Sequence, residues 1–155
     1  MDRLPAGSKG VLVCPSVRFS FYAGAALLPC RAMFQAELKE VLKEVVDGTE
    51  GGIATLLMDF EGIELNSYSK PGAEFDIATI GAEFSVVLKS IQRAAQMLEA
   101  GQTAEVAIQA EKMTTLIRVV NDDYFVAFSM SPGANLGKAR YMLRTRAPAL
   151  LKALL

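Results

Sequence analysis

The residues whose types could carry chemistry are few, and their local sequence accounts for each of them. Gly133 to Ala139 reads GANLGKA, close to a phosphate-binding loop, in which backbone N–H groups cradle phosphates, the lysine reaches outward and the next hydroxyl holds magnesium. The stretch has three residues between its glycines where the loop needs four, and Ala139 stands where Ser or Thr should. It reads as a loop and helix start. Asp59, Glu61 and Glu64 are near enough in sequence to form a carboxylate pair for acid–base work. They also surround a turn, where solvated acidic residues are ordinary, and Asp122-Asp123 is a second such turn. The chain has no histidine, which removes the commonest general base and metal ligand. Cys14 and Cys30 both lie in the first 32 residues, so a zinc site further on would need carboxylates alone. No nucleophile has a base in view. The expectation is a protein that is not an enzyme and uses no cofactor or metal.

Composition narrows the partners. The 155 residues are 52% hydrophobic, enough for one domain with a substantial core. The net charge is −1 and the pI about 5.5, with no cluster of Lys and Arg of the kind that neutralises phosphates, so nucleic acid is set aside. No charge-free apolar window is long enough to span a membrane. A domain of this size needs no disulfide, which makes a cytoplasmic location the default.

The elements follow from periodicity. Residues 1–32 hold three of the six prolines and no sustained period. Pro15 and Arg18 interrupt the apolar run that a secretory signal would need, leaving a flexible extension or, the favoured reading, a mistaken start upstream of Met33. From Phe34 to Val45 the apolar residues keep helical spacing, and Gly48 is placed to end that helix as a left-handed cap. Ile53 to Met58 is a continuously apolar strand buried on both faces. Asp59 to Gly62 fits a type I turn into an alternating strand with Ile63 and Leu65 inward, Glu64 and Asn66 outward. The longest periodic stretch, Phe75 to Ala100, is a helix with Ile77, Ile80, Phe84, Leu88, Ile91, Ala95 and Leu98 on its buried face, stopped at Gly101. Three short strands follow, Thr103 to Ala110, Met113 to Val120 and Tyr124 to Met130, and a last amphipathic helix is capped by Asn135 and bent at Pro148.

This order predicts an α+β sandwich of three layers, with a five-stranded antiparallel sheet in the order 2-1-5-4-3 and helices on both faces. The two doubly apolar strands must be central neighbours, which puts Thr103 to Ala110 at an edge open to pairing. The solvated side of the long helix carries Glu83, Val86, Ser90, Arg93 and Met97 near one line. Two apolar residues there fit either surface scatter or a contact with a partner. Together with Thr103, Glu105 and Ala107 on the edge strand, these residues form the candidate dimer or partner interface. Met97, Met113, Met130 and Met142 sit mostly at core-compatible positions and suit filling the core more than forming a sticky groove.

The pattern LLMDFEGIEL from Leu56 to Leu65, the long helix rich in Ala and Ile, and ANLGKAR from Ala134 to Arg140 resemble the Roadblock/dynein light-chain family, in its bacterial MglB-like branch, over residues 33–155. The resemblance implies a profilin-like fold, a homodimer in which the long second helices pack together and the third strands join two sheets, and a non-catalytic role as scaffold or activator of a small Ras-like GTPase. These motifs are short and structural. A small-molecule sensor domain, with a ligand between sheet and helix, and a subunit of a larger assembly stay open as alternatives.

Overall fold

A computed structural model describes residues 27–154, with side chains from Met33 onward. Its elements run α1 (Leu27–Asp47), β1 (Gly52–Asp59), β2 (Glu64–Ser69), α2 (Ile77–Met97), β3 (Glu105–Gln109), β4 (Thr114–Val119), β5 (Tyr124–Met130) and α3 (Leu136–Leu154). The sheet is antiparallel throughout and ordered β2-β1-β5-β4-β3, as the pairing of the two apolar strands required. Helices α1 and α3 pack together on one face and α2 covers the other. Helix α1 is described from Leu27, so residues 27–32, expected to belong to an N-terminal extension, are helical. The rest of that expected extension lies outside the described residues.

Two cores follow from the two faces. Leu38, Leu42, Val45 and Val46 of α1 are fully buried against Leu57, Val126 and Phe128 of the sheet and Leu143 and Leu150 of α3, each side chain contributing about 1.5–3 kcal/mol. On the opposite face Leu88 and Ile77 of α2 meet Leu56, Met58, Phe125 and Ala127. β1 and β5 pair from Gly52↔Met130 to Asp59↔Tyr124 and are buried along most of their length. Their polar members are satisfied inside the sheet: Thr55 Oγ1 donates to the Ala127 carbonyl at 3.1 Å, and the Thr115 and Ser129 hydroxyls are 3.3 Å apart.

Three local expectations are corrected. Gly48 is not in the left-handed region; a Cβ there would stand 2.5 Å from Met142 Cε and 2.8 Å from the Glu44 carbonyl oxygen, so the glycine serves the close approach of α1 and α3. The positive φ belongs to Gly51, at 81°. The alternation expected in β2 is broken because the register jumps from Leu57↔Asn66 to Met58↔Glu64. Leu65 is the extra residue of that bulge, Asn66 turns inward to donate to the Gln35 carbonyl of α1 at 2.6 Å, and Ile63 is left 63% exposed. The Asp59 to Gly62 turn itself is as expected, with Gly62 N–H on the Asp59 carbonyl at 3.2 Å and Ile63 N–H on Asp59 Oδ1 at 2.8 Å.

Helix α2 is fixed at both ends and at one point between. Asp76 caps it, accepting from Ala78 N–H and Thr79 N–H. The Thr79 hydroxyl bond, with those from Ala78 and Thr79 N–H, holds the Asp76 carboxyl below its ordinary range. At the other end Ala100 N–H reaches the Ala95 carbonyl and Glu99 N–H the Gln96 carbonyl, a Schellman closure with Glu99 at φ 52°. The helix therefore stops before Gly101, and Leu98, expected on the buried face, is 78% exposed because it stands past the last turn. Gly81 is buried, and a Cβ there would overlap Leu56 Cδ2 and stand 3.1 Å from Met58 Cε. Gly81→Val is therefore expected to lower stability by about 1–3 kcal/mol, read as a lower denaturant midpoint at unchanged slope; an unchanged midpoint would show that the helix can lift off β1 without cost.

Candidate interaction site

The two faces of the sheet are unequally covered. Helix α2 packs on β1 and β2, so its layer is one helix wide. Val106 and Ile108 of β3 and Val119 of β4, on the same face, are only partly buried against the core beneath α2. The opposite face has two helices. The sheet thus offers a half-covered apolar strip running from α2 to its β3 edge.

The edge is open in a defined way. Ala110 N–H bonds the Met113 carbonyl at 2.9 Å and Val119 N–H bonds the Ala104 carbonyl at 3.1 Å. With the register Val106↔Ile117 and Ile108↔Thr115, the even-numbered residues of β3 direct their backbone groups at β4. Glu105, Ala107 and Gln109 therefore direct theirs outward. Two of the expected edge residues, Glu105 and Ala107, hold these outward positions, while Thr103 precedes the strand. The Glu105 side chain is engaged on the α3 side of the sheet, ion-paired with Arg140 and, at 3.5 Å, with Arg118. Sequence reasoning missed Val106 and Ile108, because alternation alone does not reveal that α2 lies over β1 and β2 and leaves their end of the same face partly open.

On α2, the expected outward residues Glu83, Val86, Ser90, Arg93 and Met97 are all exposed, with Val86 at 64% and Met97 at 78%. They are not alone. Val87 and Leu98 are also exposed large hydrophobics, and Ala82 and Ala94 lie exposed between them. The outward face of α2 is a band in which small and apolar residues are interspersed with Glu83, Ser90 and Arg93, broader than the single line read from sequence.

The residues that resembled catalytic groups are structural. Asn135 Oδ1 accepts from Lys138 N–H at 3.0 Å as the cap of α3, so the start of the GANLGKA stretch is a helix entry. Asn121 Oδ1 accepts from the Asp123 and Tyr124 N–H groups at 3.0 and 2.7 Å, which explains the Asp122-Asp123 turn. Glu61 pairs at the surface with Lys89 at 3.5 Å. Among the described residues no cluster of His, Cys, Asp or Glu could hold a metal, and no helix is long and apolar enough to cross a membrane. A groove bordered by Gln92, Gln96, Thr103, Val119 and Asn121 is open to solvent and mixed in character.

No family model and no curated protein matches the chain. Solved structures do. MglC from Myxococcus xanthus is 34% identical, with 73% of this chain and 95% of that chain covered and a TM-score of 0.54. The gliding protein MglB from Thermus thermophilus is 22% identical over 91% of this chain and 97% of its own, with a TM-score of 0.70. A Roadblock/LC7 domain from Streptomyces avermitilis, 10% identical over 75% of this chain and 96% of its own, shares the fold at a TM-score of 0.67.

Because Val86 is exposed, Val86→Asp is expected to change the stability of the isolated chain by no more than about 0.5 kcal/mol. Buried against a second protein, the same carboxylate would cost several kcal/mol, on the order of 3–5 for an uncompensated charge. Denaturant unfolding of the dilute monomer and sedimentation at higher concentration separate the two: an unchanged monomer midpoint with lost association assigns Val86 to an interface, and unchanged association removes it from one.

Proposed function

The chain belongs to the Roadblock family, in its MglB-like branch, and on that footing we propose that it acts as a homodimer that regulates or scaffolds a small Ras-like GTPase without catalysing a reaction itself. The observation that carries the reading is the juxtaposition of an outward apolar band on α2 with an open β3 edge and a half-covered strip between them. Pairing β3 with its symmetry mate would satisfy the outward backbone groups of Glu105, Ala107 and Gln109 and continue the sheet across two chains. The same two-fold would bring α2 against its copy and bury Val86, Val87 and Met97.

In this reading the GTPase supplies the nucleotide site. The GANLGKA stretch lacks the spacing and the hydroxyl that phosphate and magnesium need, so the protein works by contact. Glu83, Ser90 and Arg93 lie along the same line as Val86 and Met97 and supply polar groups within the contact, where charge selects a partner more than it adds affinity. The neighbour from Thermus thermophilus is named a gliding protein, which is compatible with a role in cell motility.

The test is direct. Purified protein is mixed with a small Ras-like GTPase from the same cell, loaded with GTP or GDP, and binding and phosphate release are followed. The protein alone is expected to release no phosphate, and the mixture to form a complex that Val86→Asp weakens. Phosphate release by the protein alone, or no binding to such a GTPase in either nucleotide state, would contradict the reading.

A further inference from the structure

The layer formed by α1 and α3 carries an unusual separation of charge. Helix α3 holds Lys138, Arg140, Arg144, Arg146 and Lys152 and no acidic residue. Helix α1 carries Glu37, Glu40, Glu44 and Asp47 at steps of three and four residues, so they share one stripe. Arg146 Nε stands 3.2 Å from Glu44 Oε2, which places that acidic stripe along the side of α1 that meets α3. Arg140 and Arg146 are engaged with Glu105 and Glu44. Lys138, Arg144 and Lys152 are exposed, with no ion pair among the described residues, and they share the outer side of α3 with Tyr141, 66% exposed. Helix α1 also carries Lys39 and Lys43, exposed on the side of the acidic stripe away from α3, so the outer surface of this layer is an acidic stripe with the basic stripe of α3 on one side and these two lysines on the other.

Such a surface is complementary to itself. A two-fold axis running along the seam between α1 and α3 lays the acidic stripe of one copy on the basic stripe of the other, and does so twice. We propose that the α1/α3 layer is a second self-association surface of this protein, joined by charge, distinct from the apolar face of α2 and β3. Its occupant is a second copy of the chain, because the acidic stripe that the exposed lysines and arginine require is present on the same face in the right relation. The attraction acts between solvent-accessible charges, so it is screened within about 10 Å at 0.1 M salt and about 3 Å at 1 M. An interface of apolar residues is not weakened in this way.

Sedimentation velocity of the purified chain at fixed micromolar concentration, in about 50 mM and about 500 mM salt, reads the two surfaces separately. The expected result is a species of at least twice the mass at low salt that dissociates at high salt. If the α2/β3 pairing also holds, each dimer carries two such surfaces and the low-salt species is a tetramer or longer assembly that falls to a dimer; if that pairing fails, it is a dimer falling to a monomer, so failure of one surface does not hide the other. The variant Lys138→Glu, Arg144→Glu, Lys152→Glu changes exposed residues only and should keep the smaller mass at both salts. Mixing it with Glu37→Lys, Glu40→Lys, Asp47→Lys should restore the larger species at low salt. A mass independent of salt, or a large species that survives the charge reversal, would overturn the proposal and leave the α3 face to solvent or to an acidic partner of another kind.

Discussion

The structure depends on the unequal covering of one sheet. Five strands present two faces that must both leave water, and the described residues supply three helices to cover them. Two go to one face, where α1 and α3 close over Leu57, Val126 and Phe128. The third, α2, lies over β1 and β2 and leaves the β4–β3 side of its face partly open. Burial of apolar area is the largest favourable term in folding, so a strip left half-covered beside an unpaired strand edge is where a second protein gains most by binding.

Position on that face is set by contact distance more than by hydrophobicity. Gly81 lets α2 settle against Leu56 and Met58, and this turns Ser85 inward, 4% exposed with its hydroxyl on the Ala82 carbonyl at 2.7 Å. The buried line of the helix is therefore Ile77, Gly81, Ser85 and Leu88, rotated from the purely apolar line that periodicity suggests. Rotation in that direction carries Val87 outward to join Val86 and Met97. A small residue in the helix thus connects core packing to the composition of the outer face.

Much of this was legible in the sequence, for physical reasons. Two strands without polar faces can lie only in the middle of a sheet, which yielded the strand order, and the period of α2 was long enough to identify its outward residues Glu83, Val86, Ser90, Arg93 and Met97. What escaped depended on neighbours distant in the chain. The use of Gly48 is decided by Met142, the inward turn of Asn66 by a bulge opposite Leu57 and Met58, and the exposure of Leu98 by a Schellman closure at Glu99. Val106 and Ile108 carry no mark of a partly open face until α2 is seen to lie over β1 and β2. The charge stripes of α1 and α3 and their adjacency were not visible either, because they rest on the packing of two elements about a hundred residues apart.

If the β3 edge is completed by another chain, amide hydrogen exchange reads that edge residue by residue. The amides of Val106 and Ile108 bond within the hairpin, so they are protected in a monomer and a dimer alike. Those of Glu105, Ala107 and Gln109 point outward and are protected only if a second strand lies alongside. Their exchange is expected to slow as protein concentration rises through the micromolar range, together with slower exchange across α2. Fast exchange of these three amides at every concentration, with α2 unchanged, would contradict completion of the edge by another chain.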